Sequence, residues 1–214
     1  MSRRRRRYSH SNNILRLTKN EKNVFRAISE IIRILVLMVT EIAKGIIDLS
    51  KYINRIIVNH KALKNIGYSL DEIFNLITDV SPRQFEILIA ELFRSTGRYN
   101  NVILTPPTAD FGRDVILKRM INGYEEVTFV ECKHYSEHNM VGREIAMKLL
   151  GSCATFNAEK AIIVTTGQYH RNAYEIAGRV NNLVLMDTTD IEKMILDLDA
   201  PRISKVVMRT LNAS

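Results

Sequence analysis

Apolar residues recur at alternating steps of four and three residues along one stretch of the chain, between residues 24 and 56. The series is Val24, Ile28, Ile31, Leu35, Met38, Ile42, Gly45, Leu49, Tyr52 and Ile56. Only Gly45 interrupts its apolar character, and an average period of about 3.5 residues keeps one helical stripe against a neighbouring helix, as in coiled coils. The stretch therefore predicts a long helical segment, residues 21–60, that needs a partner along its length.

Three partners suit this helical segment. We expect a second copy of the chain, which makes the protein a homo-oligomer through residues 24–56. Alternatively the helix, or two helices that meet at Gly45, packs on the rest of the chain or lies on a membrane surface. The longest uncharged run, Ile34 to Thr40, is far shorter than the roughly 18 residues of a membrane span, so no membrane span is expected.

The first 20 residues are rich in Arg, Ser and Asn and predict a flexible basic arm. Its cluster of charges consists of Arg3, Arg4, Arg5, Arg6 and Arg7. The arm is either a solubilising tail or a DNA-binding segment that follows phosphates without sequence preference. Because these arginines supply most of the net charge of +8, the rest of the chain is only modestly basic, and its charge is weak evidence for a nucleic-acid partner.

The cysteines and the N-terminus bear on the compartment. Cys132 and Cys153 are too few for a disulfide framework and lack the spacing of metal ligands. No small-residue cleavage site follows the apolar segment that begins near Val24, which argues against a signal peptide. We therefore expect a cytoplasmic protein.

Helix signals continue between residues 60 and 80. Gly67 is typical of a helix C-terminus, because glycine adopts the left-handed conformation that ends many helices. Ser69, with Glu72 three residues later, forms a capping box that opens a short helix through about Ile77. Residues 61–80 are therefore expected to be a helical linker.

A domain of the α/β class is predicted over residues 81–197. Ser81-Pro82-Arg83-Gln84 opens its first helix, which should stop at Gly97. Strand-like and helical patterns then alternate, with strands at residues 102–104, 114–117, 127–132, 161–166 and 183–186, and helices at residues 139–156, 171–180 and 190–196. The order α-β-β-β-α-β-α-β-α predicts a mixed sheet flanked by helices, with Asn122-Gly123 as the turn of a hairpin. Residues 198–214 are left as a C-terminal tail.

The third predicted strand carries a carboxylate and an amine on one face. Side chains alternate along a strand, so Glu131 and Lys133 point the same way at the strand's end. Asp114 opens the preceding strand, and pairing through the Asn122-Gly123 turn brings it next to Glu131. The two carboxylates can then share a metal ion.

This grouping suits phosphodiester hydrolysis. Mg²⁺ is held by one or two carboxylates and keeps positions open for water and a phosphate oxygen, and Mn²⁺ is a suitable substitute. Lys133 can steer or deprotonate the attacking water, or offset charge on the transition state. An isolated Glu-x-Lys is equally typical of a salt bridge on a solvated strand end, so the prediction depends on the pairing with Asp114.

These residues belong to a longer ordered series of short motifs. Along the chain the motifs are SPRQFE at residues 81–86, TPPTADFGRD at 105–114, VECK at 130–133, Gly151 and VTTG at 164–167. The series, which extends from about Ser81 to Ile195, resembles the catalytic domain of Mrr-like restriction endonucleases, in the PD-(D/E)XK nuclease superfamily. The resemblance implies a restriction-endonuclease-like αβββαβ core that binds Mg²⁺ and cleaves DNA, often modified foreign DNA.

The resemblance also implies roles for individual residues. Asp114 matches the family's metal-binding aspartate, and Glu131 and Lys133 match its (E/Q)xK pair. Glu86 matches the acidic residue of the first helix. Many Mrr-like domains carry Gln where this chain has Glu131, and Glu is the choice of the wider superfamily.

Helix geometry is a second argument for Glu86, against its neighbour Glu91. The buried stripe of this helix is taken to consist of Phe85, Leu88, Ile89 and Leu92. On a helical wheel of about 100° per residue, Glu86 is expected to border the core and Glu91 to face solvent beside Arg94. A carboxylate at the rim of the core can reach a metal ion or its waters, so Glu86 is preferred as a site residue.

The leading prediction is a Mg²⁺-dependent DNA endonuclease in restriction or in defence against foreign DNA. Its expected partner is DNA, and Arg113, His134 and Gln168 are predicted DNA contacts in addition to the arm. The rival hypotheses are a structure-specific or repair nuclease that resembles junction resolvases, and a DNA-binding assembly protein with a degenerate site. No recognition domain is visible in the sequence, so specificity is expected to come from a partner subunit or from the modification state of the DNA, or to be low.

Overall fold

A computed structural model describes residues 19–65, 67–107, 112–136 and 138–213, so the arginines of the basic arm lie outside the described residues. The helices are α1 (Lys19–Asn65), α2 (Leu70–Asp79), α3 (Pro82–Ser95), α4 (Arg143–Phe156), α5 (Arg171–Ala177), α6 (Thr188–Leu196) and α7 (Ala200–Leu211). The strands are β1 (Asn101–Leu104), β2 (Val115–Ile121), β3 (Tyr124–Lys133), β4 (Met140–Val141), β5 (Lys160–Thr165), β6 (Gln168–Tyr169) and β7 (Leu183–Met186). The chain divides into two compact units between Asn54 and Arg55.

The heptad stretch forms one continuous helix, α1, which passes through Gly45 without a break. Residues 26 to 51 of this helix are all exposed. The helix ends in a Schellman motif, in which Gly67 has a φ of +87° and the Tyr68 amide donates to the Leu63 carbonyl at 3.0 Å. The helix end predicted at Gly67 is confirmed. None of the helices in the described part of the chain has both the length and the apolar character that crossing a membrane requires.

Two capping boxes start the next two helices, as the sequence predicts. Ser69 accepts the Glu72 amide at the start of α2, and Ser81 accepts the Gln84 amide at the start of α3, where Pro occupies the first helical position. Helix α3 ends at Ser95, and Gly97 has a φ of +67°.

The central sheet has five strands in the order β1-β2-β3-β5-β7. β1, β2 and β3 are antiparallel neighbours, whereas β3, β5 and β7 run parallel to one another. The helices that connect β3 to β5 and β5 to β7 allow the parallel pairing. The predicted α/β architecture, a mixed sheet flanked by helices, is confirmed.

Each face of the sheet has its own hydrophobic cluster. On one face Leu88 of α3, Val130 of β3 and Ile203 of α7 belong to a cluster that also takes in α2 and α6. On the other face Phe129 of β3 packs with Leu149 of α4 and other buried residues of α4, β5 and β7. Successive residues of β3 therefore point to opposite helical layers.

The turn between β2 and β3 is of type I′. Asn122 and Gly123 both have positive φ, at 49° and 87°, as this turn requires. The turn pairs Ile121 with Tyr124, and the ladder continues without a bulge to the pair Val115 and Val130. The predicted hairpin is confirmed, and its register fixes which residues stand opposite each other at the far end.

Three features of the second unit differ from the sequence analysis. Residues 198–214 were assigned to a tail, but they include α7, whose Ile203, Val206 and Val207 are buried. The compact unit begins at Arg55, upstream of the boundary expected near residue 81, because the end of α1 contributes Leu63 to the core. A small parallel pair, β4 with β6, was not predicted, because two-residue strands carry no periodic signal.

Candidate functional site

The β2–β3 hairpin brings Asp114 and Glu131 together at the open end of its ladder. The ladder ends at the pair Val115 and Val130, so Asp114 directly precedes the last paired residue of β2 and Glu131 directly follows its partner on β3. The Asp114 amide donates to the Val130 carbonyl at 2.7 Å, and Asp114 Oδ2 accepts a hydrogen bond of 2.6 Å from the Cys132 amide. The charge of Glu131 raises the pKa of Asp114, so the two carboxylates lie within electrostatic reach of each other.

Glu131 and Lys133 form an ion pair at the end of β3. Lys133 Nζ lies 2.5 Å from Glu131 Oε1. Both side chains share the sheet face of Phe129, the face that α4 covers. The Glu131 side chain is 5% exposed and the Lys133 side chain 26%. The carboxylate is therefore enclosed, whereas the ammonium group reaches solvent.

The second carboxylate oxygen of Glu131, Oε2, is buried and has no hydrogen-bond partner among the described residues. A buried acceptor without a partner costs about 1–3 kcal/mol, so this oxygen favours a ligand. The described residues contain no group of three or more His, Cys, Asp or Glu that could hold a metal ion. Mg²⁺, however, binds through one or two carboxylates and retains waters, so the pair Asp114 and Glu131 fits this ion.

Burial and neighbouring charges shift two pKa values in this cluster. Burial, the charge of Glu131 and that of Glu86 raise the pKa of Asp114 to about 7, although the Cys132 amide and Lys133 act in the opposite direction. Burial lowers the pKa of Lys133, but its hydrogen bond and its attraction to Glu131 outweigh burial, so the pKa lies above its usual value. The metal-free cluster therefore binds a proton near neutral pH, and a divalent cation would offset the same excess of negative charge.

Glu86 of α3 lies at the edge of this cluster. Its charge contributes to the raised pKa of Asp114, so the two carboxylates are within electrostatic reach. Glu86 accepts a hydrogen bond of 2.5 Å from Arg83, which also donates to the Thr105 carbonyl at 3.0 Å. The Glu86 side chain is 22% exposed, as expected for the rim of the core.

The expectation that Glu91 faces solvent is wrong. Its side chain is only 10% exposed and forms ion pairs with Arg94 and, at 2.9 Å, with Arg209 of α7. Glu86 and Glu91 both lie about 110° from the centre of the buried stripe of α3, on opposite sides, so the helical wheel does not separate them. The difference arises from tertiary packing, because α7 covers the Glu91 side.

The comparison with protein families matches these elements to a known domain. The model of the Mrr catalytic domain, a restriction endonuclease, matches residues 77–195, which is more than half of the chain. The chain belongs to the Mrr family of restriction endonucleases. The resemblance stated from the sequence motifs is confirmed, and the chain carries a restriction-endonuclease-like nuclease domain related to type IV restriction enzymes.

Two curated proteins are similar to this Mrr-family chain. The type IV methyl-directed restriction enzyme EcoKMrr of Escherichia coli strain K12 is 25% identical over 141 residues, which cover 64% of the chain and 45% of that enzyme. The uncharacterized protein y4cE of Sinorhizobium fredii strain NBRC 101917 / NGR234 is 32% identical over 93 residues, which cover 44% of the chain and 23% of that protein. The chain thus spans less than half the length of these two relatives.

Two solved structures share the fold of this Mrr-family chain. The DNA modification-dependent restriction endonuclease AspBHI superposes with a TM-score of 0.52 at 22% identity, over 67% of this chain and 39% of that one. The MspJI restriction endonuclease, in complex with a 27-mer oligonucleotide, superposes with a TM-score of 0.51 at 18% identity, over 67% and 34%. At these identities the likeness shows the fold alone.

The residues predicted to contact DNA have different surroundings in this Mrr-family domain. Arg113 stacks on two aromatic rings, with its guanidinium carbon 3.9 Å from the Phe156 centroid and 4.9 Å from that of Phe129. The His134 ring lies 5.2 Å from the Phe85 ring. Gln168 in β6 is exposed, whereas Arg113 and His134 are partly buried. Of these three side chains, Gln168 is therefore the most accessible to a large ligand.

Thr165, Thr166 and Gly167 contact the segment of chain that begins at Lys133. The sequence analysis assigned no role to these three residues. Thr165 Oγ1 donates to the Lys133 carbonyl at 2.8 Å, and Thr166 Oγ1 donates to the Tyr135 carbonyl at 2.7 Å. A Cβ on Gly167 would lie 2.5 Å from the Asn139 carbonyl oxygen, so only glycine fits this contact. The Thr-Thr-Gly triplet is part of the family motif at residues 164–167, which was the signal that could have identified these residues.

Proposed function

We propose that this protein is a Mg²⁺-dependent DNA endonuclease that hydrolyses phosphodiester bonds in restriction or defence against foreign DNA, with Mn²⁺ as a substitute ion. The observation that supports it is the buried Glu131 carboxylate, which lies within electrostatic reach of Asp114, has Lys133 at 2.5 Å and leaves its Oε2 without a partner among the described residues. A hydrophobic core gains nothing from two adjacent acidic groups, since burial disfavours their charged forms. A hydrolytic site requires such a pair to bind its ion.

In this proposal Asp114 and Glu131 hold the metal ion, which when bound supplies a polarised water and a positive charge near the scissile phosphate. Asp114 must lose its proton to serve as a ligand. Because its pKa is about 7 in the metal-free protein, protons compete with the ion at lower pH. Activity is therefore expected to decline as the pH falls below 7.

Lys133 provides the second part of the proposed mechanism. Its ammonium group donates to Glu131 and reaches solvent, so it can also orient a water or hydrogen-bond a phosphate oxygen. Its raised pKa keeps it protonated at neutral pH. A protonated lysine favours stabilisation of negative charge in the transition state over removal of a proton from the water.

We further propose modified duplex DNA as the substrate. The names of the similar proteins support this choice, since EcoKMrr is a methyl-directed restriction enzyme and AspBHI depends on DNA modification. These proteins are much longer than the stretch that this chain matches. We assign recognition of the modification to a partner subunit or to contacts such as Gln168 and the basic arm.

The test is cleavage of plain, methylated and branched DNA by the whole chain with Mg²⁺ and with EDTA. The variant is Lys133→Ala, and its matched control is Lys118→Ala, because Lys118 also pairs with a glutamate, at 2.8 Å, but lies on the β2–β3 hairpin away from the carboxylates. Cleavage by the natural chain and by the control, with a loss of roughly a hundredfold or more in Lys133→Ala, supports the proposal. Equal cutting by both variants removes Lys133 from the mechanism, and strong preference for branched DNA overturns the restriction role.

A further inference from the structure

An uncovered apolar stripe runs along α1. Numbering the heptad positions a to g with Ile28 at a, the large apolar residues at positions a, d and e between residues 28 and 53 are between 47% and 64% exposed. They are Ile28, Ile31, Ile32, Leu35, Met38, Val39, Ile42, Ile46, Leu49 and Ile53. We propose that residues 28–53 form a helical bundle of at least three copies of this chain.

The width of the stripe favours a bundle over a two-stranded coiled coil. A two-stranded coiled coil needs apolar residues only at positions a and d, whereas three apolar positions in seven are typical of a helix that faces several neighbours. Position e is apolar in four successive heptads, at Ile32, Val39, Ile46 and Ile53. Between Ile34 and Val39 the apolar residues extend to other positions as well, which further widens the contact surface.

The charges of the helix leave this stripe free. All charged residues between residues 28 and 55 occupy positions c, f or g. Six of them form exposed pairs three residues apart, Glu30–Arg33, Glu41–Lys44 and Asp48–Lys51. These pairs are satisfied within one helix and can remain in water, so assembly through the stripe would bury no charge.

The area of the stripe matches that of a stable interface. Ten large apolar side chains that are about half exposed amount to on the order of 900 Å² of surface. The largest apolar patch on a typical monomer is about 300–600 Å², and a standard interface buries about 800 Å² per partner. A patch of this size therefore predicts a partner rather than a free surface.

Toward the C-terminal end of α1, the same stripe is covered by other residues of the chain. Its next positions are Ile56, which is partly buried, Asn59, which is 5% exposed and donates to the Leu198 carbonyl at 2.6 Å, and Leu63, which is fully buried. Upstream, residues 26 to 51 are all exposed. A second copy of the chain carries an identical stripe with the same heptad register. Further copies of this chain are therefore the partner that fits the exposed part of the stripe.

The test is the mass of the full chain in solution by light scattering during gel filtration, at high salt to suppress binding through the basic arm. The expected mass is at least three times 24.6 kDa. Leu35→Glu combined with Ile42→Glu places charge on the stripe and should reduce the mass to 24.6 kDa. The control, Thr40→Glu with Ser50→Glu, adds the same charge at positions f and b and should keep the assembled mass.

Three outcomes would overturn the bundle. If the natural chain is monomeric, α1 does not mediate self-association. If it is dimeric, the assembly is a two-stranded coiled coil and not a bundle of three or more helices. Flotation of the natural chain with vesicles of phosphatidylcholine and phosphatidylglycerol, abolished by the stripe variant and accompanied by a monomeric mass, would assign the stripe to a membrane surface instead. Thermal unfolding of both variants verifies that residues 55–214 remain folded, so a change of mass is separable from a loss of the nuclease domain.

Discussion

Replacing Asp114 by Asn should stabilise the metal-free protein while it removes cleavage. Folding raises the pKa of this carboxyl from 3.8 to about 7, chiefly through burial. The native state therefore keeps the proton to a higher pH than the unfolded chain does. As the pH rises from about 4 to 7 the native state loses stability relative to the unfolded chain, and above 7 the loss is constant. At about 1.4 kcal/mol per pKa unit, the upper limit of this loss is about 4 kcal/mol.

Asparagine removes the charge and keeps an oxygen that can accept the Cys132 amide. In urea unfolding with EDTA at pH 8, Asp114→Asn should be more stable than the natural chain by about 2–4 kcal/mol, and at pH 5 the gain should shrink to about 1–2 kcal/mol. Added Mg²⁺ should stabilise the natural chain and leave the variant unchanged. The control is Asp71→Asn, which alters an exposed carboxylate in the first turn of α2.

The reasoning is refuted if Asp114→Asn is no more stable than the natural chain at pH 8. It is also refuted if the gain becomes larger as the pH falls, because a carboxyl with a raised pKa can only produce the opposite trend. A gain without loss of cleavage would preserve the electrostatic argument and contradict the proposed role of Asp114 as a metal ligand.

Two further substitutions test the surroundings of the site. Gly167→Ala should lower both the melting temperature and the cleavage rate, since its Cβ would lie 2.5 Å from the Asn139 carbonyl oxygen; Gly45→Ala, which meets nothing within 4 Å, should instead add up to about 1 kcal/mol by helix propensity. Glu91→Ala should cost about 1–2 kcal/mol in urea unfolding, because it removes a buried carboxylate that binds Arg94 and Arg209, although both arginines reach solvent. Glu86→Ala should cost much less stability, and similar losses for both would contradict the difference in burial.

The hairpin was predictable from the sequence because its information is local. Asn122-Gly123 specifies a type I′ turn, and that turn fixes every later pair up to Val115 and Val130. Asp114 and Glu131 each adjoin that last pair, so their proximity follows from the register of the hairpin. The capping boxes of α2 and α3 were predictable for the same reason, since each needs only four consecutive residues.

The burial of Glu91 was not predictable in this way. Periodicity within α3 shows only its own stripe, and Glu86 and Glu91 lie symmetrically about it. Helix α7, which covers Glu91, comes more than 100 residues later, and its amphipathic pattern was overlooked in a segment assigned to a tail. The contacts of Thr165 and Thr166 with the chain after β3 depend likewise on the parallel pairing of β3 with β5, a long-range relation.

The hairpin register also limits how this nuclease family can change in length. Asp114 and Glu131 come together because each adjoins the last pair of one ladder, Val115 and Val130, whose position is fixed by the number of residues from the turn. A single residue inserted within β2 or β3 alone would shift one carboxylate along the ladder relative to the other, whereas one residue added to each strand would lengthen the arms and keep the acids together. Lengths that differ by one residue in each arm are therefore permitted and odd differences are not, so parity in this hairpin should be a marker by which intact and inactivated sites can be told apart.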